Sequence, residues 1–220
     1  MIAVAIDGPA GAGKSTIART VAQKIGFIYV DTGALYRAVG LFMLENGIEI
    51  HDAEAVCGRL AQISVSLEFI DGEQRVFLCG EDVSEKIRTA EVSMAASAVS
   101  AIPRVREFLF GLQKELAARN NVIMDGRDIG TVVLPEAKIK IFLTASPEER
   151  AKRRYEEMVA KGMKAEYQEV LEDIKVRDYN DSHRPVAPLV PAPDAILVDT
   201  TGNTLEQSIE QLTALIRSHL

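Results

Sequence analysis

Tryptophan is absent from this 220-residue chain, aromatic residues make up only 5% of it, and cysteine occurs twice. Cys57 and Cys79 are too isolated to form a zinc knuckle or a redox pair, so both are expected to be reduced thiols. Long hydrophobic runs are also missing. Residues 2–6 are apolar, but a membrane-spanning helix needs about 20 such residues. A signal peptide needs a basic start and a longer apolar stretch, and neither occurs before Asp7. The expectation is therefore a cytoplasmic protein without a membrane partner. Positive charge is in deficit as well: Lys and Arg number 25 against 32 Asp and Glu, a net charge of −7. A nucleic-acid surface needs a clustered basic face, so no nucleic-acid partner is expected, and any polyanion must meet local arginines.

What remains is ordinary for a soluble domain. Hydrophobic residues at 47% and charged residues at 26% match the usual values of about 45–50% and about 25%. The length suits one domain with a modest insertion. Residues 2–6 read as a buried strand, glycines follow, and Ile17, Val21 and Ile25 recur at helical spacing. A second apolar run at 27–30 leads into Asp31-Thr32-Gly33 and a helical pattern through Leu35, Val39 and Phe42. Further strands are predicted at 121–124, 138–144 and 195–198, separated by helical stretches, which implies a mainly parallel sheet.

Ser146-Pro147-Glu148-Glu149 has the signs of a helix start, and Thr204 with Gln207 repeats them. Within 46–90 the period changes: Val65, Leu67 and Phe69 alternate with polar residues, Asp71-Gly72 supplies a turn, and Val76 and Leu78 resume the alternation. That pattern predicts a small antiparallel hairpin insertion. Four prolines at 185, 188, 191 and 193 mark an irregular connector. The fold class expected is α/β, three layers around a central parallel sheet, with a small antiparallel β insertion. The chain then divides into a core (about 1–45, 91–146 and 182–220), an insertion (about 46–90) and a further helical segment (about 147–181), all in one domain of 1–220.

Gly8-Pro9-Ala10-Gly11-Ala12-Gly13-Lys14-Ser15 has the spacing of a phosphate-binding loop, placed between a predicted strand and a predicted helix. Glycines let backbone N–H groups converge on phosphate oxygens, and the helix start adds its positive end. Lys14 would reach the β- and γ-phosphates, and Ser15 would hold Mg²⁺. The motif names ATP or GTP without naming the reaction. A GTPase switch would also carry Asn-Lys-x-Asp to read guanine, which the chain lacks. A kinase for a small metabolite such as shikimate or gluconate shares the fold and differs in its acceptor, so the arginines must discriminate.

A phosphorylated acceptor brings about two more negative charges to a crowded donor, and fixed guanidiniums would hold both in line. Arg37, Arg106, Arg127, Arg177 and Arg184 each lie near a predicted loop or helix end, while Arg150, Arg153 and Arg154 share one helix. For Arg153 and Arg154 the alternative is a solvated face paired with Glu149, Glu156 and Glu157.

The segments GPAGAGKST (8–16), DTGALYR (31–37), IRTAEVSMAAS (87–97), PRVR (103–106), DGRDIGT (125–131) and RPVAPLV (184–190) resemble those of bacterial cytidylate kinases, nucleoside monophosphate kinases of the P-loop group. The likeness runs through nearly the whole chain and implies a P-loop NTPase fold in which residues 147–181 form a helical lid over ATP. DGRD together with the arginine-bearing DTG segment is its most specific part, and the 46–90 insertion resembles the enlarged nucleotide-binding part of the bacterial enzymes.

The resemblance implies transfer of the γ-phosphoryl group of ATP to CMP or dCMP, with Mg²⁺ as cofactor and a monomer as the working form. It also implies roles: Arg37 and Arg127 on the acceptor phosphate, Ser97, Arg106 and Asp128 towards cytosine, and Arg177, Asp181 and Arg184 on sugar and phosphate. Gly8 to Thr16 with Arg153 would bind ATP, and Thr32 takes a substrate position that is serine in some relatives. Lys14, Asp125, Arg127, Arg150 and Arg154 would form the catalytic set. Asp125, at the end of a hydrophobic strand, could order Mg²⁺ and its waters or simply cap the next turn. His51 and His219 read as peripheral, and His183 as a bystander.

Overall fold

The computed structural model describes residues 1–70 and 73–220. The predicted Asp71-Gly72 turn lies outside the described residues. A five-stranded parallel sheet, with strand order β2-β6-β1-β7-β8, is built from β1 (Ala3–Asp7), β2 (Ile28–Asp31), β6 (Val122–Gly126), β7 (Ile139–Thr144) and β8 (Ile196–Asp199). A separate antiparallel sheet comprises β3 (Val65–Ile70), β4 (Glu73–Leu78) and β5 (Glu81–Asp82). The chain forms two compact units, residues 28–122 with Met1, and residues 2–27 with 123–220.

In the second unit β1 pairs with β7 in parallel, Ala5 opposite Lys140, and β7 pairs with β8. Val4, Ala5 and Ile6 are inaccessible to solvent, as are Ile123 and Met124 of β6. Strands buried on both faces read as unbroken apolar runs, which is why both were visible in the sequence. Helix α1 (Lys14–Ile25) ends at Gly26 and packs with α8 (Leu205–His219). The latter opens with the expected capping box, since Thr204 accepts from the Gln207 amide and the Gln207 side chain accepts from the Thr204 amide. Ser146 caps α6 (Pro147–Ala160) in the predicted manner. Helix α6 packs on α7 (Tyr167–His183) around Ala151, Val170, Leu171 and Ile174.

In the first unit α2 (Thr32–Glu45) lies against α4 (Ala90–Ser100) at close range. A Cβ at Gly40 would sit 3.0 Å from the Ala96 amide nitrogen and 3.1 Å from the Ala95 Cβ, so the small residues of the MAAS segment serve this contact. Helix α5 (Pro103–Arg119) follows, with proline in its first turn.

The insertion differs from its expected form. The predicted antiparallel pairing is present, with Val65 opposite Leu78 and Leu67 opposite Val76, but β5 adds a third strand to β4 through Phe77 opposite Asp82, and the sheet is preceded by α3 (Ala53–Arg59). Two residues of exposed acidic strand carry no hydrophobic alternation, so no periodic signal marks β5. Its anchor is polar: Ser84 Oγ accepts from the Val76 amide at 2.9 Å.

Candidate functional site

The loop of 8–13 is shaped by its glycines at two points. Gly8 has φ +151°, and a Cβ there would meet the Leu143 carbonyl oxygen at 1.9 Å, so no side chain fits against β7. Gly13, left-handed at φ 81°, turns the chain into α1, whose first turn has no side-chain cap. Uncapped amides at a helix start favour an anion. Lys14 is buried, and its ammonium donates to the Pro9 carbonyl at 2.7 Å. Burial, then the charge of Arg127, pushes the Lys14 amine down to about 7, against the opposing pull of Asp125, Asp7 and Asp181.

The Ser15 hydroxyl donates to Asp125 Oδ2 at 2.9 Å. A hydroxyl and a carboxylate side by side form a hard-oxygen pair that suits Mg²⁺, an ion that takes few protein ligands and keeps waters and phosphates. Among the described residues no cluster of three or more His, Cys, Asp or Glu is placed to hold a metal by itself. Nucleotide phosphates would have to complete the shell.

Asp125 opens the DGRD turn at the end of β6. Arg127 donates through Nε to Asp181 Oδ2 at 2.8 Å. Asp128, 5% exposed, lies 3.5 Å from the guanidinium of Arg184. Burial alone would raise Asp181, but Arg127, with Arg177 and Arg184 behind it, holds its carboxyl below the usual range. Arg184 ends α7, as expected. Arg177 instead lies inside α7, six residues before its last residue, His183.

The three arginines of α6 have different surroundings. Arg150 is 2% exposed and pairs with both oxygens of Asp178 at 2.9 and 2.5 Å. It also donates to the carbonyls of Ala145 and Ala10, which ties α6 to the phosphate loop. Arg153 donates to Glu149 and to the Thr200 carbonyl. Arg154, on an exposed face, pairs with Glu157 at 3.5 Å. The i,i+4 and i,i+3 pairing expected of a charged helix face thus occurs at both.

In the other unit, Thr32 is the buried first residue of α2, and Asp31 caps that helix by accepting from the Ala34 amide. The second oxygen of Asp31 accepts from Arg37 at 2.7 Å. Arg106, in the first turn of α5, is buried, lies over the Tyr36 ring and donates to the Ser100 carbonyl at 3.3 Å. Ser97 is half-buried on α4.

Sequence reasoning passed over Asp7. Its buried carboxylate accepts from the amides of Ile129 and Gly130, both at 2.7 Å. Burial pushes it up to about 6; the two amides and Lys14 oppose this, and Asp128 adds to it. The available signal was a carboxylate ending an apolar strand directly before the loop. Tyr36 was likewise quoted in a motif without being given a task.

A phosphate loop joining the first strand of a parallel sheet to a helix defines a P-loop NTPase fold. The fold compares with a gluconokinase from Sinorhizobium meliloti 1021, with a TM-score of 0.50 over 99% of this chain and 93% of that one at 13% identity. The family model for cytidylate kinase matches residues 4–218. A cytidylate kinase of Caldicellulosiruptor bescii is 53% identical over 97% of this chain and 95% of its own. One from Leuconostoc mesenteroides is 50% identical over 99% and 97%. The chain belongs to the cytidylate kinase family.

Proposed function

We propose that the protein transfers the γ-phosphoryl group of ATP to CMP or dCMP, yielding ADP and the nucleoside diphosphate. One observation supports this above the others: the DGRD turn, the most family-specific segment, is hydrogen-bonded through Asp125 to the phosphate-loop serine. Residues that would hold the acceptor are thereby linked to residues that would hold the donor.

No strong general base is required, because the second pKa of a phosphate monoester is about 6 and the acceptor oxygen is already ionised at neutral pH. Catalysis is then positioning and charge neutralisation. Backbone amides of residues 8–16 hold the donor phosphates, and Lys14 meets charge developing on the transferring group. Ser15 would hold Mg²⁺ and Asp125 would order its waters, and the ion would supply charge neutralisation to the donor phosphates. Arg37 and Arg127 grip the acceptor phosphate, Arg177, Asp181 and Arg184 contact its sugar and phosphate, Thr32 adds a hydroxyl, and Arg150, Arg153 and Arg154 serve the donor side.

Cytosine presents acceptors at O2 and N3 and a donor at its amino group, which calls for an arginine and a carboxylate. Arg106 and Asp128, assisted by Ser97, supply them. Residues 147–181 act as a lid over ATP, opening to release ADP and closing to exclude water. The protein works as a monomer in the cytoplasm, where ATP and nucleoside monophosphates meet.

A coupled ADP-release assay across the nucleoside monophosphates, with shikimate as control, tests the reading. CMP and dCMP should be the best acceptors. Activity on shikimate alone would overturn it.

A further inference from the structure

Residues 129 and 130 open a π-helical turn, Ile129–Val133, whose later amides bond back to the Asp128 carbonyl at 2.9 and 3.2 Å from Val132 and Val133. The first amides of any helical turn have no partner within it. Here both are taken by a residue more than 120 positions away in sequence: Asp7 Oδ1 accepts from Ile129 and Oδ2 from Gly130. Asp7 is 4% exposed, at the end of a strand in which Val4, Ala5 and Ile6 are inaccessible. Its oxygens therefore have little freedom, and two charge-assisted bonds of 2.7 Å fix the turn from one side. On the other side, β6 ends at Gly126. Only Arg127 and Asp128 lie between these two fixed points, and their side chains reach Asp181 and Arg184.

We propose that Asp7 is a positioning residue for the acceptor nucleotide: it clamps the turn amides and so sets where Arg127 and Asp128 meet the CMP phosphate and base. The inference rests on the roles proposed above for those two residues. Asp7 touches no reacting atom. It acts through backbone that a displacement of about 1 Å would carry out of register, an error known to lower rates by about 10².

Asp7 also carries charge near Lys14, so the test must separate anchoring from electrostatics. Asp7→Asn and Asp7→Ala remove the same charge, but the first keeps one acceptor oxygen and the second keeps none. Steady-state kinetics should show the KM for CMP rising about threefold in Asn and about thirtyfold in Ala, while the KM for ATP shifts equally in both. Equal CMP effects in the two variants would overturn the proposal. Should either variant fail to fold, amide hydrogen exchange on the unaltered protein decides. The Ile129 and Gly130 amides should exchange as slowly as those of β1, and exchange at the rate of an exposed loop would refute the clamp. Slow exchange in a protein that turns out not to phosphorylate CMP would leave the clamp standing and remove the proposed function instead.

Discussion

The charged groups of the two units are held in contrasting ways. In residues 28–122 two arginines bond to near neighbours, Arg37 to Asp31 and Arg106 to the Ser100 carbonyl, each six residues away, although Arg106 also lies over the Tyr36 ring, 70 positions earlier. In the other unit the partners are distant in sequence. Ser15 meets Asp125 across 110 positions, Arg127 meets Asp181 across 54, and Arg150 meets Ala10 across 140. The first arrangement forms with its helix ends, while the second exists only once the parallel sheet has formed. Buried, mutually bonded charges resist displacement because each would leave an unpaired group in a low-dielectric interior. The phosphate-loop unit is accordingly preorganised by its tertiary structure, whereas in the unit bearing Arg37 and Arg106 local bonds act beside long-range contacts such as that of Gln74 with the Asp31 backbone.

The largest effect that would sharpen this contrast is at Lys14. Lys14→Ala should lower kcat by about 10³, the loss seen when one preorganised donor to transition-state charge is removed. The melting temperature should not fall, since a buried cation is being relieved of desolvation. Turnover within tenfold of the parent would contradict the role assigned to the loop.

Second is the pair of lid arginines. Arg150→Ala strands the Asp178 carboxylate and the carbonyls of Ala10 and Ala145, and should lower stability by about 3 kcal/mol in urea unfolding. Asp178 is 26% exposed, which keeps the loss from the top of the range. Arg154→Ala breaks only an exposed pair and should change stability by less than about 0.5 kcal/mol. Similar losses in the two variants would erase the distinction between tertiary and surface pairing.

These arginines also mark how far the sequence could be read. The loop, the buried strands and the capped starts of α6 and α8 were legible because glycine spacing, unbroken apolar runs and cap residues act within a few positions. Neighbouring glutamates set Arg153 and Arg154 apart in the sequence, but nothing local marked Arg150 as the buried one, since its partners Asp178 and Ala10 are distant. Asp7 was silent for the same reason, since its partners are the amides of a turn that has no hydrophobic period. Strand β5 and helix α3 were hidden by shortness and polarity, and the residues proposed to hold CMP were legible only through resemblance.

Asp128→Asn comes next. The carboxylate is buried beside Arg184 and is proposed to accept from the cytosine amino group, where uracil presents an oxygen. A site built for one pattern leaves polar groups unpaired with the other. The amide can donate where the carboxylate could not, so kcat/KM for CMP should fall and the preference over UMP should narrow about tenfold. An unchanged ratio would mean that Asp128 only orders the turn with its arginine neighbours.

The smallest effect is a proton. Lys14 in the free protein loses its charge at about 7, against an ordinary lysine value of about 10.4. Bound nucleotide phosphates favour the ammonium, so the pKa rises in the complex. At pH 8 the free protein is mostly neutral at this position, and ATP binding must take up a proton, in an amount less than one. The sign follows: affinity is fully present below about 7 and declines as pH rises from there towards the higher value of the complex, by at most about tenfold per unit. Asp7 works in a different window. Its carboxyl, raised from 3.8 to about 6, keeps a proton that the unfolded chain would release, so it lowers stability as pH rises through that interval and has little further effect above it. Titration calorimetry at pH 8 in two buffers of unlike ionisation enthalpy separates the proton from the binding heat. Net uptake that disappears in Lys14→Met, a neutral side chain of similar length, would assign it to this amine. Uptake that persists in that variant would place the titrating group elsewhere in the unit and break the link between burial of the loop lysine and its charge.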